Sequence, residues 1–353
     1  MMDEAHRTDR STRALVARPG ARFRCFGDGL CCTDLHALGP LTPGEAADLR
    51  RIRPESLEWN DEFEGECLRV DAAGVCRQLT ADGRCGIQLR YGPDRKPIGC
   101  RRFPYGLVDT PLGRRVTTEH RCPCRSLGGA ARPILELADA QSCLRDRSGQ
   151  LEVDGAAPDR IALARGEEID FSRYAEIESE ILRRLENGER AETVLAAQPF
   201  PALATRDWAA CGHDFVGMQD GSAGGVALAW FGEALLASTV GAKPAVHMRP
   251  WRAAFERGVA RSPVADDPER IVNDWLGDEL WMLRWVDWKG CSFRTTRAEL
   301  ATRLAVARTV MQRLAPLGLR ADQAAAEAVM VAGLGACTTR WPEQVAAFID
   351  SDI

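Results

Sequence analysis

The rhythm of apolar and polar positions changes about halfway along this chain. From Glu167 onward the spacing is helical. In AEIESEILRRLENG, Ile177, Ile181, Leu182 and Leu185 share one face, and Gly188 ends the run. The same periodicity predicts further helices over about 224–240, 267–286, 295–314 and 320–335. Upstream, from Ala21 to about Ala130, long apolar patterns give way to Gly, Pro, Asp and Cys, so a core there is expected to depend on ligands more than on side-chain packing. One helix stands out in that region. LTPGEAADLRRI offers Thr42 as N-cap, Pro43 at the first helical position and Glu45 three residues after the cap, which predicts a helix from about Pro43 to Ile52.

Residues 1–20 are polar, arginine-dotted and without period, and read as a flexible arm. Between 131 and 166, short segments broken by RSGQ and VDGAAPD suggest a hairpin or connector. The expected fold is therefore mainly α: an irregular cysteine-rich metal-binding lobe (21–130) followed by an α-helical lobe (167–353).

Composition narrows the functional classes. With 353 residues the chain can bury a real core without a metal. A net charge of −5 and a pI near 5.7 argue against a general nucleic-acid binder. No uninterrupted apolar run reaches membrane-spanning length, and the N-terminus has no apolar signal core, so a cytoplasmic protein with no membrane partner is expected. Only Lys96, Lys243 and Lys289 among 46 basic residues are lysine, a bias that carries no functional weight.

The chemistry is concentrated in the cysteines. Nine of the thirteen fall between Cys25 and Cys124, in FRCFGDGLCC, CRQLTADGRC, PIGCRRFP and HRCPC among others. In a reducing compartment, thiols gathered at turns point to metal rather than to disulfides. Cys25, Cys31 and Cys32 form the first loop, and Cys76, Cys85, Cys100, Cys122 and Cys124 are the candidates that close the shell. Glycines 27, 29, 83, 86 and 99 would let backbone amides approach the sulfurs. Cys67 is spare, and Cys143, Cys211, Cys291 and Cys337 read as packing residues.

This order, C-x5-CC, then C-R-Q-L-x4-R-C-G-I, then C-R-R-F-P, resembles the CxxCxxCC family of zinc- or iron-chelating proteins, which includes the flagellin lysine N-methylases. The likeness covers residues 23 to 126, and the second cysteine of the motif is replaced by Asp28. Asp28 reads first as a turn residue in GDG, with a carboxylate ligand as the alternative. The resemblance implies a [4Fe–4S] cluster. A structural zinc is the alternative, although its usual paired CxxC spacing is missing. CxxxCxxC, the signature of radical S-adenosylmethionine chemistry, is absent.

Several neighbouring features could serve a site. Arg101 and Arg102 flank Cys100 and could stabilise cluster charge or grip a carboxylate, while His120 reads as an ordinary loop histidine before it reads as a ligand. PERIVNDWLGDELWMLRWVDW places Trp275, Trp281, Trp285 and Trp288 in one predicted helix. It is expected to be a core helix, with Trp281 as a candidate cofactor wall. Asp274, Asp278 and Glu279 could meet a cationic substrate or be solvated acids. MQDGSAGG, ahead of an apolar helix, is expected to be a plain turn rather than an anion cradle.

Two functions follow. One is an iron–sulfur enzyme that transfers a methyl group from S-adenosylmethionine to a lysine or similar amine of a protein or peptide substrate, as the resemblance implies. The other is a non-catalytic, zinc- or iron-stabilised binding or assembly module. An open metal corner beside Arg101 would favour the enzyme, and a closed four-ligand site the module.

Overall fold

The computed structural model describes residues 13–61, 63–81, 83–146, 148–200, 208–241 and 243–349. The fold is mainly α, 53% helical against 14% strand.

The first half begins with strand β1 (Leu15–Ala17), followed by a 3-10 turn at Leu30–Cys32 and helix α1 (Pro43–Ile52). The predicted capping box is formed: the Thr42 hydroxyl accepts from Glu45 N, and Glu45 Oε2 accepts from Thr42 N at 2.9 Å. A small hairpin, β2 (Leu57–Asn60) and β3 (Gly65–Leu68), precedes α2 (Gly86–Tyr91) and α3 (Ile98–Arg102). β4 (Tyr105–Thr110) and β5 (Gly113–Thr118) form an antiparallel pair, and α4 (Pro123–Ser126), α5 (Leu137–Leu144) and β6 (Gly155–Ala156) complete this region. The sheet order is β1-β5-β4-β6, with β1 and β6 parallel to their neighbours.

Two expectations are corrected here. Leu15–Ala17 is not part of a flexible arm, because its backbone pairs with Arg114–Val116, while residues 1–12 lie outside the described residues. The 131–166 stretch holds the eight-residue helix α5 and contributes β6 to the sheet, and the hairpin proper is β7 (Arg160–Ala164) with β8 (Glu167–Asp170).

The helical half runs α6 (Phe171–Glu186), α7 (Ala191–Leu195), α8 (Trp208–Gly217), α9 (Ala223–Val240), α10 (Arg252–Ala260), α11 (Pro268–Trp281), α12 (Phe293–Leu314), α13 (Ala321–Ala336) and α14 (Arg340–Ile349). Ile181, Leu182 and Leu185 of α6 are buried as the pattern requires. α9 is apolar all round and packs against α8, α12 and α13, the position such a helix must take in a core. It is the one described helix long and apolar enough to cross a membrane, and 67% of it is buried inside the protein.

The tryptophan-rich helix is shorter than its pattern suggests. It stops at Trp281, Leu283 takes a left-handed φ of 53°, and a 3-10 turn covers Arg284–Asp287. The break lets Leu283 and Trp285 both enter the core. The main core reaches into the first half, where Leu30, Leu35, Val108 and Leu127 join the cluster built by the helices, and Leu38, Leu49, Leu68, Cys76 and Ile87 form a smaller core of their own in the cysteine region. Side-chain packing therefore supports the cysteine region more than its composition implied. A dense ionic knot reinforces the junction, where Arg125 and Arg18 pair with Asp274 and Asp278 of α11.

Candidate metal centre

The folded chain divides the eight predicted metal cysteines into two groups that border one cavity. The first group is Cys31, Cys32, Cys76, Cys85 and Cys100. Cys31 and Cys32 sit on the 3-10 turn after Gly29, whose φ of 81° is a left-handed value that glycine tolerates. Cys76 is brought back by its amide donating to the Cys32 carbonyl at 2.8 Å. Cys85 starts α2, where a side chain on Gly86 would strike the Gln78 carbonyl at 2.9 Å. Cys100 lies on α3. The enclosed gap between these five measures only ≈ 20 Å³.

Lys96 is set among these thiols. Burial opposes its charge, but Cys31, Cys100, Cys85 and Cys32 outweigh that, and its pKa is raised. Cys32 is pushed far up by its hydrogen bond to Cys31 and by burial, and burial takes Cys100 up to about 12. A metal bound by these thiols would displace their protons.

The second group is Cys25, Asp28, Cys122 and Cys124. Cys122 is the N-cap that opens α4, and Cys124 is its second residue. Cys124 Sγ donates to Asp28 Oδ2 at 2.7 Å and accepts from the Phe26 amide at 3.3 Å. Asp28 Oδ1 accepts from the Leu30 amide at 2.7 Å. Asp28 is thus the turn residue expected, with its second oxygen turned toward a thiol. Cys25 shares a hydrogen bond with Cys124, which, ahead of burial, raises its pKa far above the thiol range.

Cys25, Cys31, Cys32, Cys85, Cys122 and Cys124 line an open cavity of ≈ 830 Å³, together with Lys96, Arg101, Phe23, Phe103 and Tyr105. A more open hollow of ≈ 860 Å³ beside β1 contains no thiol or carboxylate and offers no comparable chemistry. Cys143, expected to be a packing residue, also lines the cysteine cavity, from α5. Its local sequence, AQSCLRD, carries no second cysteine or glycine turn to mark it as part of the group.

The remaining candidates separate clearly. The Arg101 side chain is 9% exposed, its Nε has no partner among the described residues, and it faces the cavity. Arg102 turns away, pairing with Glu152 at 3.0 Å and Asp154 at 2.7 Å, and is no cofactor ligand. Trp281 is not a cavity wall either. It lies under the Arg115 guanidinium at 4.0 Å and donates from Nε1 to the Val116 carbonyl at 3.0 Å, since an indole buried against a sheet needs a partner for its N–H. His120 bonds Ser126 at 3.1 Å and sits 3.3 Å from Asp278, away from the thiols.

Asp278 and Glu279 are buried, Asp274 is partly exposed, and none of the three is free for a substrate. Arginines occupy all three, Arg303 taking Glu279 at 2.9 Å. At the glycine-rich loop, the helix start of α9 is already served by the chain's own Asp34, whose Oδ1 accepts from Ala223 N at 3.2 Å. That leaves a turn and no anion cradle. Cys67 and Cys211 are buried outside both thiol groups.

No known protein family, curated protein or solved structure matches this chain.

Proposed function

We propose that this chain is a thiolate-ligated metalloenzyme whose first cysteine group holds a [4Fe–4S] cluster at the edge of the open cavity, where S-adenosylmethionine binds and donates its methyl group to a lysine or similar amine of a protein or peptide. The observation that carries the proposal is the convergence of cysteines from separate turns and short helices on one open, cation-bearing cavity. Membership in the CxxCxxCC family belongs to the same proposal and rests on the motif.

The donor spacing supports a cluster in the first group. Four thiolates around one zinc at 2.3 Å lie about 3.8 Å apart. Among the described residues, no three thiols of the first group come within 4.8 Å of one another. A cluster that takes one thiolate at each of four irons needs wider separation. The ≈ 20 Å³ gap is too small for a cluster core alone, but Cys31, Cys32 and Cys85 also face the large cavity, which is not.

The cavity supports the cofactor. Its ≈ 830 Å³ is in the range of small-molecule sites. Arg101 and Lys96 suit a carboxylate, and Phe23, Phe103 and Tyr105 replace Trp281 as the aromatics able to stack on adenine or face a sulfonium. Residues of the first cysteine group would hold the cluster at the cavity edge, and Arg101 would orient the carboxylate of the cofactor. Anaerobic purification with iron and acid-labile sulfide analysis, followed by calorimetric titration of the cofactor, tests this. Stoichiometric zinc without sulfide and without cofactor binding would leave the metal-stabilised binding module.

A further inference from the structure

We propose that Cys25, Asp28, Cys122 and Cys124 form a second metal site, separate from the iron–sulfur thiols, which holds one divalent ion of the zinc class in a mixed sulfur and oxygen shell. Asp28, Cys122 and Cys124 lie within 4.8 Å of one another and are all buried. That is the spacing of donors around a single ion, and among the described residues it is the group of His, Cys, Asp and Glu side chains that meets it. The donors come from chain positions 96 apart, so the site exists only in the folded protein.

Asp28 is held for this role. Its Oδ1 is fixed by the Leu30 amide, and Arg257 Nε clamps its backbone carbonyl at 2.8 Å, which leaves Oδ2 facing Cys124. Cys25 is exposed on the cavity side and lies outside that 4.8 Å group, so it would become the fourth, exchangeable donor only by closing onto a bound ion.

A second observation points to an anionic shell at this place. Arg132 is 7% exposed, its NH1 has no partner among the described residues, and its guanidinium lies over the ring of Phe26, whose amide donates to Cys124 Sγ. Loading a dication would release one proton from each of three thiols to solvent. The resulting three thiolates and carboxylate carry two negative charges net of the ion, of which the Arg132 guanidinium offsets one. The carboxylate makes this shell harder than an all-thiolate one, which favours zinc, cobalt(II) or a single iron(II) over copper(I) or a cluster. The inference does not depend on the iron–sulfur assignment, since it uses different donors.

Cobalt(II) titrated into the full-length chain, purified anaerobically and cleared of loosely held metal, is the test. The expected result is one cobalt per chain with thiolate charge-transfer and tetrahedral ligand-field bands, in wild type and equally in Cys85→Ala. Asp28→Asn keeps the bond from the Leu30 amide and should weaken cobalt binding roughly 10–100-fold. Asp28→Cys should keep the ion with stronger charge-transfer absorption. Cys124→Ala should abolish the cobalt bands while leaving iron and sulfide in place. Absence of thiolate bands in wild type overturns the proposal, as does loss of iron and sulfide together with cobalt in Cys124→Ala. A cobalt site intact in a protein without iron or sulfide would sink the iron–sulfur assignment alone.

Discussion

Cys124 reaches across 96 residues to donate its thiol hydrogen to Asp28 Oδ2 at 2.7 Å. Under the proposed family assignment, this contact lets Asp28 take the place of the motif's second cysteine, with a thiol as its neighbour.

The two thiol groups predict different outcomes for cysteine removal. Cys31→Ala, Cys85→Ala or Cys100→Ala should lose iron and sulfide and lower the melting temperature, because metal that binds only the folded state adds its binding energy to folding. Cys211→Ala and Cys337→Ala, outside both groups, should retain them. Equal metal content across both sets, measured by elemental analysis, contradicts the assignment.

The two arginines beside Cys100 should behave differently. Arg101→Lys should weaken S-adenosylmethionine binding roughly 10-fold or more, the scale of one charge-assisted hydrogen bond of about 1.5–3 kcal/mol. Arg102→Gln breaks partly exposed pairs with Glu152 and Asp154 and should cost no more than about 1 kcal/mol of stability, with binding unchanged. Calorimetric titration of the three proteins decides between this and equivalent roles.

Trp281→Phe removes the hydrogen bond to Val116 and weakens the stacking on Arg115. A loss of about 1–3 kcal/mol in urea unfolding is expected, with no change in cofactor affinity. A selective loss of affinity would return Trp281 to the cavity.

The junction between the two halves depends on ionised carboxylates. Burial acts to raise the pKa values of Asp274 and Asp278, but Arg125 and Arg18 outweigh it, bringing Asp274 down to about 2 and Asp278 lower still. A carboxylate depressed in the folded state stabilises fully above its unfolded value of about 3.9, and that stability is lost as pH falls through the folded value. The stability difference between wild type and Asp274→Asn should therefore be largest above pH about 4 and shrink toward pH 2. A difference independent of pH contradicts the ion-pair account. Arg125→Met, which leaves Arg18 as the one remaining guanidinium for two carboxylates, should cost about 3–5 kcal/mol at neutral pH.

Helices with a regular apolar face were legible in the sequence, α1 with its capping box and α6, α9, α12 and α13 nearly to their ends. The sheet was not. β5 reads GRRVTT, whose polar residues are buried because Arg114 pairs with Asp109 at 2.9 Å and Arg115 with Glu178 at 2.6 Å. No local hydrophobic pattern announces such partners, and Glu178 lies 63 residues from Arg115. The cysteine order identified the residues that gather, but not their division into two groups, which depends on α4 carrying Cys122 and Cys124 to Asp28 rather than to Cys31. Arg101 and Arg102 are adjacent in sequence, and only the turn of α3 decides which of them sees the cavity.

The most direct test of the account is a count of iron, acid-labile sulfide and zinc per chain in anaerobically purified wild-type protein. The account predicts iron and sulfide in equal amounts, with visible absorption that bleaches on reduction, alongside up to one zinc. Zinc without sulfide after strictly anaerobic handling would contradict it.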